Sequence, residues 1–333
     1  MKILITGGCG FIGSSLAIFL KEKIKTAQIT SIDNLSRKGS TLNKDRIKEN
    51  KILNIKIDIS KFSSIKKLKK FDLVIHCAAE PAIEASRKKI EEVFNSNLLG
   101  TFNILKKCAK DNSNIIYLSS SRVYSIENLY KLKKKGTVKE NFNINNPKSI
   151  YGFTKLSSEL LIKEYAYLHK IKYLINRVAL VSGPWQFGKE EQGFVSLWLW
   201  RHLNSLKLNY IGFGGTGKQV RDVLHIEDLC ELVLLQIQNI KKINNKLFNV
   251  GGGKKNSINL LQLTKLSQDI TRNKIKIGRV KKTSSYDVPY FISDLNYVKK
   301  LYKWEPRRNL KKVVADIYFW MLDNNSILKK YFL

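Results

Sequence analysis

The chain has 333 residues, 43% of them hydrophobic, and a formal net charge of +33 at pH 7. That length buries a large core and is expected to divide into two lobes, and no apolar run is long enough to span a bilayer, which excludes a membrane protein. The charge invites nucleic acid, but the lysines are scattered through every segment, and the densest runs, Lys66 to Lys70 and Lys131 to Lys135, have no interleaved aromatic platform, so no nucleic-acid partner is expected.

Lys2 to Thr6 reads as a short buried strand, because Ile3, Leu4 and Ile5 form an apolar run bounded at once by glycines. Gly7, Gly10 and Gly13 then give a turn without side chains, where a diphosphate can approach the backbone. The helix starting near Phe11 and Ile12 offers unpaired N–H groups to that anion. A second strand, Gln28 to Ile32, ends in Asp33, twenty residues after Gly13. A carboxylate at this point accepts hydrogen bonds from ribose hydroxyls and repels a 2′-phosphate, so Asp33 and Asn34 predict NAD rather than NADP. Cys9, Cys77, Cys108 and Cys230 form no C-x-x-C pair, which argues against a zinc site and against disulfides. With no signal peptide read at the start, the cytoplasm is the expected location and no metal is expected.

Ile52 to Ile57 is a third strand ending in Asp58-Ile59, and Phe71 to Cys77 a fourth, leading into Ala78-Ala79-Glu80, where small residues let the backbone lie against a cofactor. His76, inside an apolar strand, reads as a core histidine. A long helix is predicted from Ala85 to Lys110, with Asn97 placed to reach the sheet edge. The fifth strand, Asn114 to Leu118, runs into Ser119-Ser120-Ser121-Arg122-Val123-Tyr124 at the end where open α/β sheets bind ligands. Ser125 to Lys148 is polar and lysine-rich and reads as an excursion rather than a core element. The helix beginning near Ser149 or Ile150 places Tyr151 and Lys155 on one face. A sixth strand, Ile171 to Val178, completes a Rossmann-type doubly wound parallel sheet, giving an NAD-binding domain at 1–180.

Residues 181–333 are expected to form a smaller α/β substrate domain, with some chain crossing back between the lobes. Its elements are shorter: a tryptophan-rich helix at Val195 to Leu203, with Trp198 and Trp200 as packing residues, a glycine loop at Gly212 to Gly217, amphipathic helices near Glu227 to Ile237 and Ser257 to Thr271, and a final helix at Leu310 to Leu322. Arg221, on a strand after the glycine loop, is suited to bidentate contact with a diphosphate.

Gly-Gly-Cys-Gly-Phe-Ile-Gly, Asp33-Asn34-Leu35, the serine cluster before Val123-Tyr124, Tyr151-x-x-x-Lys155 and Arg221-Asp222-Val223 with His225 occur in one order that resembles the extended short-chain dehydrogenase/reductase family of nucleotide-sugar epimerases and dehydratases. The resemblance covers essentially the whole chain. It implies that Tyr151 is the acid/base on a sugar hydroxyl, that Lys155 binds the nicotinamide ribose and lowers the phenol's pKa, and that Ser120 hydrogen-bonds the same hydroxyl, with Ser119 or Ser121 as substitutes. It also implies that Gly7, Gly10, Phe11, Ile12, Gly13, Asp33, Asn34, Asp58, Ile59, Ala78, Ala79, Asn97 and Ser119 contact NAD, and that Glu80, Ser120 and Arg221 contact a nucleotide-diphosphate sugar. NAD would stay bound, taking a hydride from one sugar carbon and returning it to the opposite face.

The dehydratase branch carries an acidic pair just before Val-Tyr, where this chain has Ser121-Arg122. Elimination lacks its acid, and an epimerase is expected, acting on carbon 2 of a CDP-deoxyhexose. A UDP-sugar 4-epimerase is the alternative within the fold. A catalytically idle NAD-sensing or nucleic-acid-binding protein is the alternative outside it, and the intact Ser, Tyr and Lys set speaks against that. A second departure is Ser125, where the family usually has glycine. The helices at Ile90 to Leu105 and Tyr151 to Leu168 correspond to those that pair two subunits in the family, so a homodimer is expected.

Overall fold

Ile3, Leu4 and Ile5 have no solvent-exposed surface, and strand β1 (Lys2–Thr6) lies between two parallel neighbours, β2 (Gln28–Asp33) and the later strand Leu73–His76. The structure is a computed structural model that describes residues 1–81, 89–132, 136–188 and 193–332. With β3 (Leu53–Lys56), β4 (Leu73–His76), β5 (Asn114–Ser120) and β6 (Tyr173–Val178) named in turn, the seven-stranded sheet has the order Lys246–Val250, β6, β5, β4, β1, β2, β3. The chain winds outward from β1 to β3, then returns to place β4 on the other side of β1. This is the doubly wound Rossmann-type fold, with its switch point between β1 and β4, and ligands in such sheets bind outside the carboxyl ends of the strands there.

Contacts divide the chain into two units. The first comprises Met1–Val123, Ser149–Arg177 and Cys230–Phe248, and the second Tyr124–Lys148, Val178–Leu229 and Asn249–Leu333. In the first, Leu4, Ile32, Val74, Ile104, Ile115 and Ile175 form the core between sheet and helices. The core also holds paired polar groups. Lys107 and Asp111 are buried one turn apart on the helix Gly100–Asp111, with Nζ 2.7 Å from Oδ1. His76 is wedged between Thr6 Oγ1 at 2.6 Å and Thr101 Oγ1 at 3.0 Å, and burial holds it down to about 3, so it is the neutral core histidine its strand predicts. The helix expected from Ala85 is described from Ile90 to Asp111, with a wider π turn at Asn95–Leu99; its expected start lies outside the described residues.

In the second unit, Trp198 and Trp200 on the helix Phe194–Leu203 are buried, as packing residues should be. Trp200 stacks on Phe332, with centroids 4.8 Å apart. Phe332 belongs to a further helix, Asn325–Phe332, so Leu310–Asp323 is not the last element as the sequence reading has it. Two buried positions, Leu328 and Phe332, are too few to announce a helix by periodicity.

The polar stretch after Tyr124 is a larger correction. Its helix Ile126–Lys131 buries Ile126 and Leu129, Val138 is fully buried, and Val138 N–H bonds to Ile292 O at 2.8 Å. Asn249 donates to Val138 O at 2.8 Å and accepts from Tyr124 Oη at 2.6 Å. The stretch is a structural part of the second unit. Its few apolar residues do the packing, and the lysines between them masked the pattern. Among the described residues, no helix is long and apolar enough to cross a membrane, no group of three or more His, Cys, Asp and Glu is placed to hold a metal, and no cysteine is in a disulfide.

Candidate active site

The glycines after β1 are there because nothing larger fits. Gly7 has φ +65°, and a Cβ on it would lie 2.8 Å from the backbone of Ala78; one on Gly13 would lie 2.2 Å from Gly7 O. Gly10 opens the helix Phe11–Lys23 with no side-chain cap, so the first-turn amides at Phe11 and Ile12 are left for an outside acceptor. The resulting depression is lined by Gly7, Gly10, Asp33, Asn34 and Ser36 on one side and by Ile59, Ala78, Ala79 and Glu80 on the other. Asp33 accepts from Leu35 N at 2.7 Å and Cys9 N at 3.0 Å; burial pushes its carboxyl up and these two amides pull it down. A side-chain-free cradle, a helix start and a carboxylate at the end of β2 fit a dinucleotide.

Arg37 reaches Glu80 with Nη1 2.9 Å from Oε1 at the rim of this depression. Three of the expected cofactor contacts are turned elsewhere. Asp58 closes a turn by accepting from the amide and hydroxyl of Ser60, at 2.9 and 2.8 Å. Asn97 is buried and holds the Glu80 segment by both backbone groups, accepting from its N–H at 2.7 Å and donating to its C=O at 3.2 Å. Ser119 gives its hydroxyl to Glu159 at 2.5 Å.

β5 runs two residues further than the sequence reading has it, to Ser120. Ser120 lies beside Tyr151, close enough for its hydroxyl to favour the phenolate, and its oxygen accepts from Arg122 N–H at 3.2 Å. Ser149 caps the helix Ile150–His169 by accepting from Gly152 N at 3.0 Å, and that helix brings both Tyr151 and Lys155 into buried positions. Lys155 Nζ donates to Leu118 O at 2.8 Å and lies 4.7 Å from the centre of the Tyr117 ring. Burial lowers Lys155 to about 8, while Cys77 and Glu159 act to raise it.

The phenol of Tyr151 is pushed up by burial, and pulled back first by the Ser120 hydrogen bond, then by Arg122 and Arg37. The leading cations at the phenol are therefore two arginines rather than Lys155, whose ammonium is turned toward β5. In sequence Arg37 bears only on the choice between NAD and NADP, and Arg122 is visible only as the residue replacing an acid. In the second unit, Arg221 donates to Asp287 Oδ1 at 3.1 Å and to Val220 O at 2.8 Å.

Residues 3–251 match the family described as the NAD dependent epimerase/dehydratase family. The chain is 32% identical over 345 residues to CDP-paratose 2-epimerase of Salmonella typhi, covering 96% of this chain and 99% of that protein. It is equally 32% identical over 332 residues to a putative UDP-glucose 4-epimerase of Methanocaldococcus jannaschii, covering 97% and 99%. Its fold matches the crystal structure of UDP-glucuronic acid 4-epimerase from Bacillus cereus in complex with UDP-glucuronic acid and NAD, with TM-score 0.84, 25% identity and coverage of 97% and 99%.

Proposed function

The chain belongs to the NAD dependent epimerase/dehydratase family and is an NAD-dependent nucleotide-sugar enzyme, and on that premise we propose that it is a CDP-paratose 2-epimerase, inverting carbon 2 of a CDP-linked deoxyhexose. The observation that carries the epimerase reading is Ser120 beside the buried phenol of Tyr151, with Arg122 where a dehydratase has a carboxylic acid. The CDP reading rests on the likeness of Asp33 to Gly39, Gly217 to His225 and Phe248 to Gly252 to that enzyme and on the 32% identity over nearly the whole chain. A UDP-sugar 4-epimerase is the second reading, favoured by the equal identity to the Methanocaldococcus protein.

In this reading the first unit holds NAD and the acid/base groups. Gly7, Gly10, Phe11, Ile12 and Gly13 take the diphosphate, Asp33 and Asn34 the adenosine ribose, and Ile59, Ala78 and Ala79 lie against the rings. Bound NAD supplies the hydride acceptor and returns the same hydride, so there is no net redox change. Tyr151 takes the proton from the sugar hydroxyl as phenolate and gives it back when the ketone is reduced. Ser120 hydrogen-bonds that hydroxyl and keeps the phenol aimed at it. Lys155 contributes a buried positive charge on the face of the helix shared with Tyr151. Arg221 takes the diphosphate of the substrate by exchanging its present partner Asp287, and Glu80 contacts the sugar.

Phe94, Leu99 and Leu160 are exposed apolar residues around one groove formed by two helices of the first unit, and we read this face as the seat of a homodimer. A cytoplasmic setting accords with four thiols outside any disulfide.

The test is incubation with CDP-, UDP-, GDP- and dTDP-sugars, with products read by NMR, beside Tyr151→Phe. Epimerisation of a CDP-sugar at carbon 2 is the expected result, and the variant should keep NAD while losing roughly 100-fold or more in kcat. Turnover of a UDP-sugar at carbon 4 would replace the first reading by the second, and an equally active Tyr151→Phe would remove the phenol from the mechanism.

A further inference from the structure

Glu159 lies one turn beyond Lys155 on the helix Ile150–His169 and is 1% exposed. Its carboxylate accepts from Ser119 Oγ at 2.5 Å and from Arg177 at 2.7 Å (Nη2) and 3.0 Å (Nε). Ser119 stands on β5 and Arg177 on β6. One buried side chain thus ties the helix carrying Tyr151 and Lys155 to the strand that ends in Ser120.

Stability alone does not account for this choice. Withdrawing two charges from water is expensive, and apolar groups of similar volume hold a helix on a sheet as well or better. Apolar groups cannot, however, pin the hydroxyl of Ser119, the residue directly before Ser120. Nor can they place a negative charge one turn from a buried ammonium, where low dielectric makes it felt.

We propose that Glu159 is a positioning residue of the reaction: through Ser119 it fixes the end of β5 so that Ser120 meets Tyr151, and through its charge it keeps Lys155 an ammonium. This rests on the roles proposed above for Ser120, Tyr151 and Lys155. The other titratable groups facing Lys155 are His76 and Cys77 at the end of β4 and Tyr117 on β5. Burial holds His76 down to about 3 and pushes Cys77 up to about 12 and Tyr117 higher, so all three are uncharged at neutral pH. The negative neighbour is Glu159.

The experiment compares Ser119→Ala, Glu159→Gln, which leaves the Arg177 charge in place, and Tyr151→Phe as reference. It reads kcat and KM across pH on the nucleotide sugar the wild type turns over, together with NAD carried through purification and the melting temperature. Ser119→Ala should lose roughly tenfold in kcat, less than the loss of a general acid–base group itself, with KM, NAD content and melting temperature unchanged. In Glu159→Gln Lys155 loses its negative neighbour while the Arg177 charge remains, so the alkaline limb of kcat should move to lower pH. If Glu159→Gln does not fold, Ser119→Ala decides alone. Wild-type kcat in Ser119→Ala, or an unmoved alkaline limb in a folded Glu159→Gln, while Tyr151→Phe is inactive, would overturn the proposal. An active Tyr151→Phe would instead overturn the reading beneath it.

Discussion

Arg37 and Glu80 face each other at the rim of the glycine-lined depression, Nη1 to Oε1 2.9 Å, each about a third or less exposed. Arg37 is the residue in the loop after β2 suited to a 2′-phosphate, and Glu80 holds it instead. Glu80→Gln should therefore shift the ratio of NADPH to NADH affinity toward NADPH by about fivefold at most, since a part-exposed pair is worth roughly 1 kcal/mol. Fluorescence titration with both reduced cofactors measures it. An unchanged ratio would mean that Asp33 alone excludes the phosphate.

Arg122 acts on the phenol through charge, so removing it has a sign. Without the guanidinium, the pKa of Tyr151 rises further above that of an ordinary tyrosine, and phenolate forms only at higher pH. The acidic limb of the kcat profile should move up in Arg122→Ala, with a greater loss at pH 6 than at pH 9. A limb that stays put would show that the Ser120 hydrogen bond outweighs the arginine.

Gly13→Ala would set a methyl group 2.2 Å from Gly7 O. The turn must open, at a cost of about 1–3 kcal/mol for overpacking, and the cradle opens with it. The expected outcome is protein with a lowered melting temperature that purifies without NAD, and full NAD content at wild-type stability would show that the turn relaxes.

Lys107 and Asp111 are buried at 2% and 5% exposure, and Asp111 also accepts from Phe71 N at 3.0 Å. Lys107→Met leaves that carboxylate uncompensated and should lower unfolding stability by about 3–5 kcal/mol in urea titrations. A loss under about 1 kcal/mol would place the pair among the weak surface-like ones.

Leu160 is 53% exposed beside Phe94 and Leu99. If this face pairs two copies, Leu160→Lys should halve the mass seen by light scattering and leave NAD content unchanged. A wild type that is already monomeric would assign the face to something else.

Much of this was legible in the sequence, for a local reason. The strand ending in glycines, Asp33 at the end of β2, and Tyr151 with Lys155 on one helix are short-range patterns, and each lies where its pattern puts it. What escaped is long-range. Nothing near Asn97 says that its partner is the backbone of Glu80, and nothing in three consecutive serines says that Ser119 turns to Glu159 while Ser120 takes the phenol. The stretch after Tyr124 misled because its lysines outnumber the residues that pack. The pairing of Tyr151 with Lys155 on one face follows from spacing, whereas Arg122, in the turn Ser121–Val123, and Arg37, in the loop after β2, act on the phenol from segments whose course spacing does not predict.

The thiols have a practical corollary. Cys9 and Cys77 are pushed up to about 12 by desolvation and Cys108 higher, so these three present no reactive thiolate at neutral pH, and Cys230 is buried out of reach. A single cysteine introduced at an exposed position such as Tyr167 would then react with maleimides almost alone, and a fluorophore or spin label could be attached to the otherwise native sequence without first stripping it of its own sulfur.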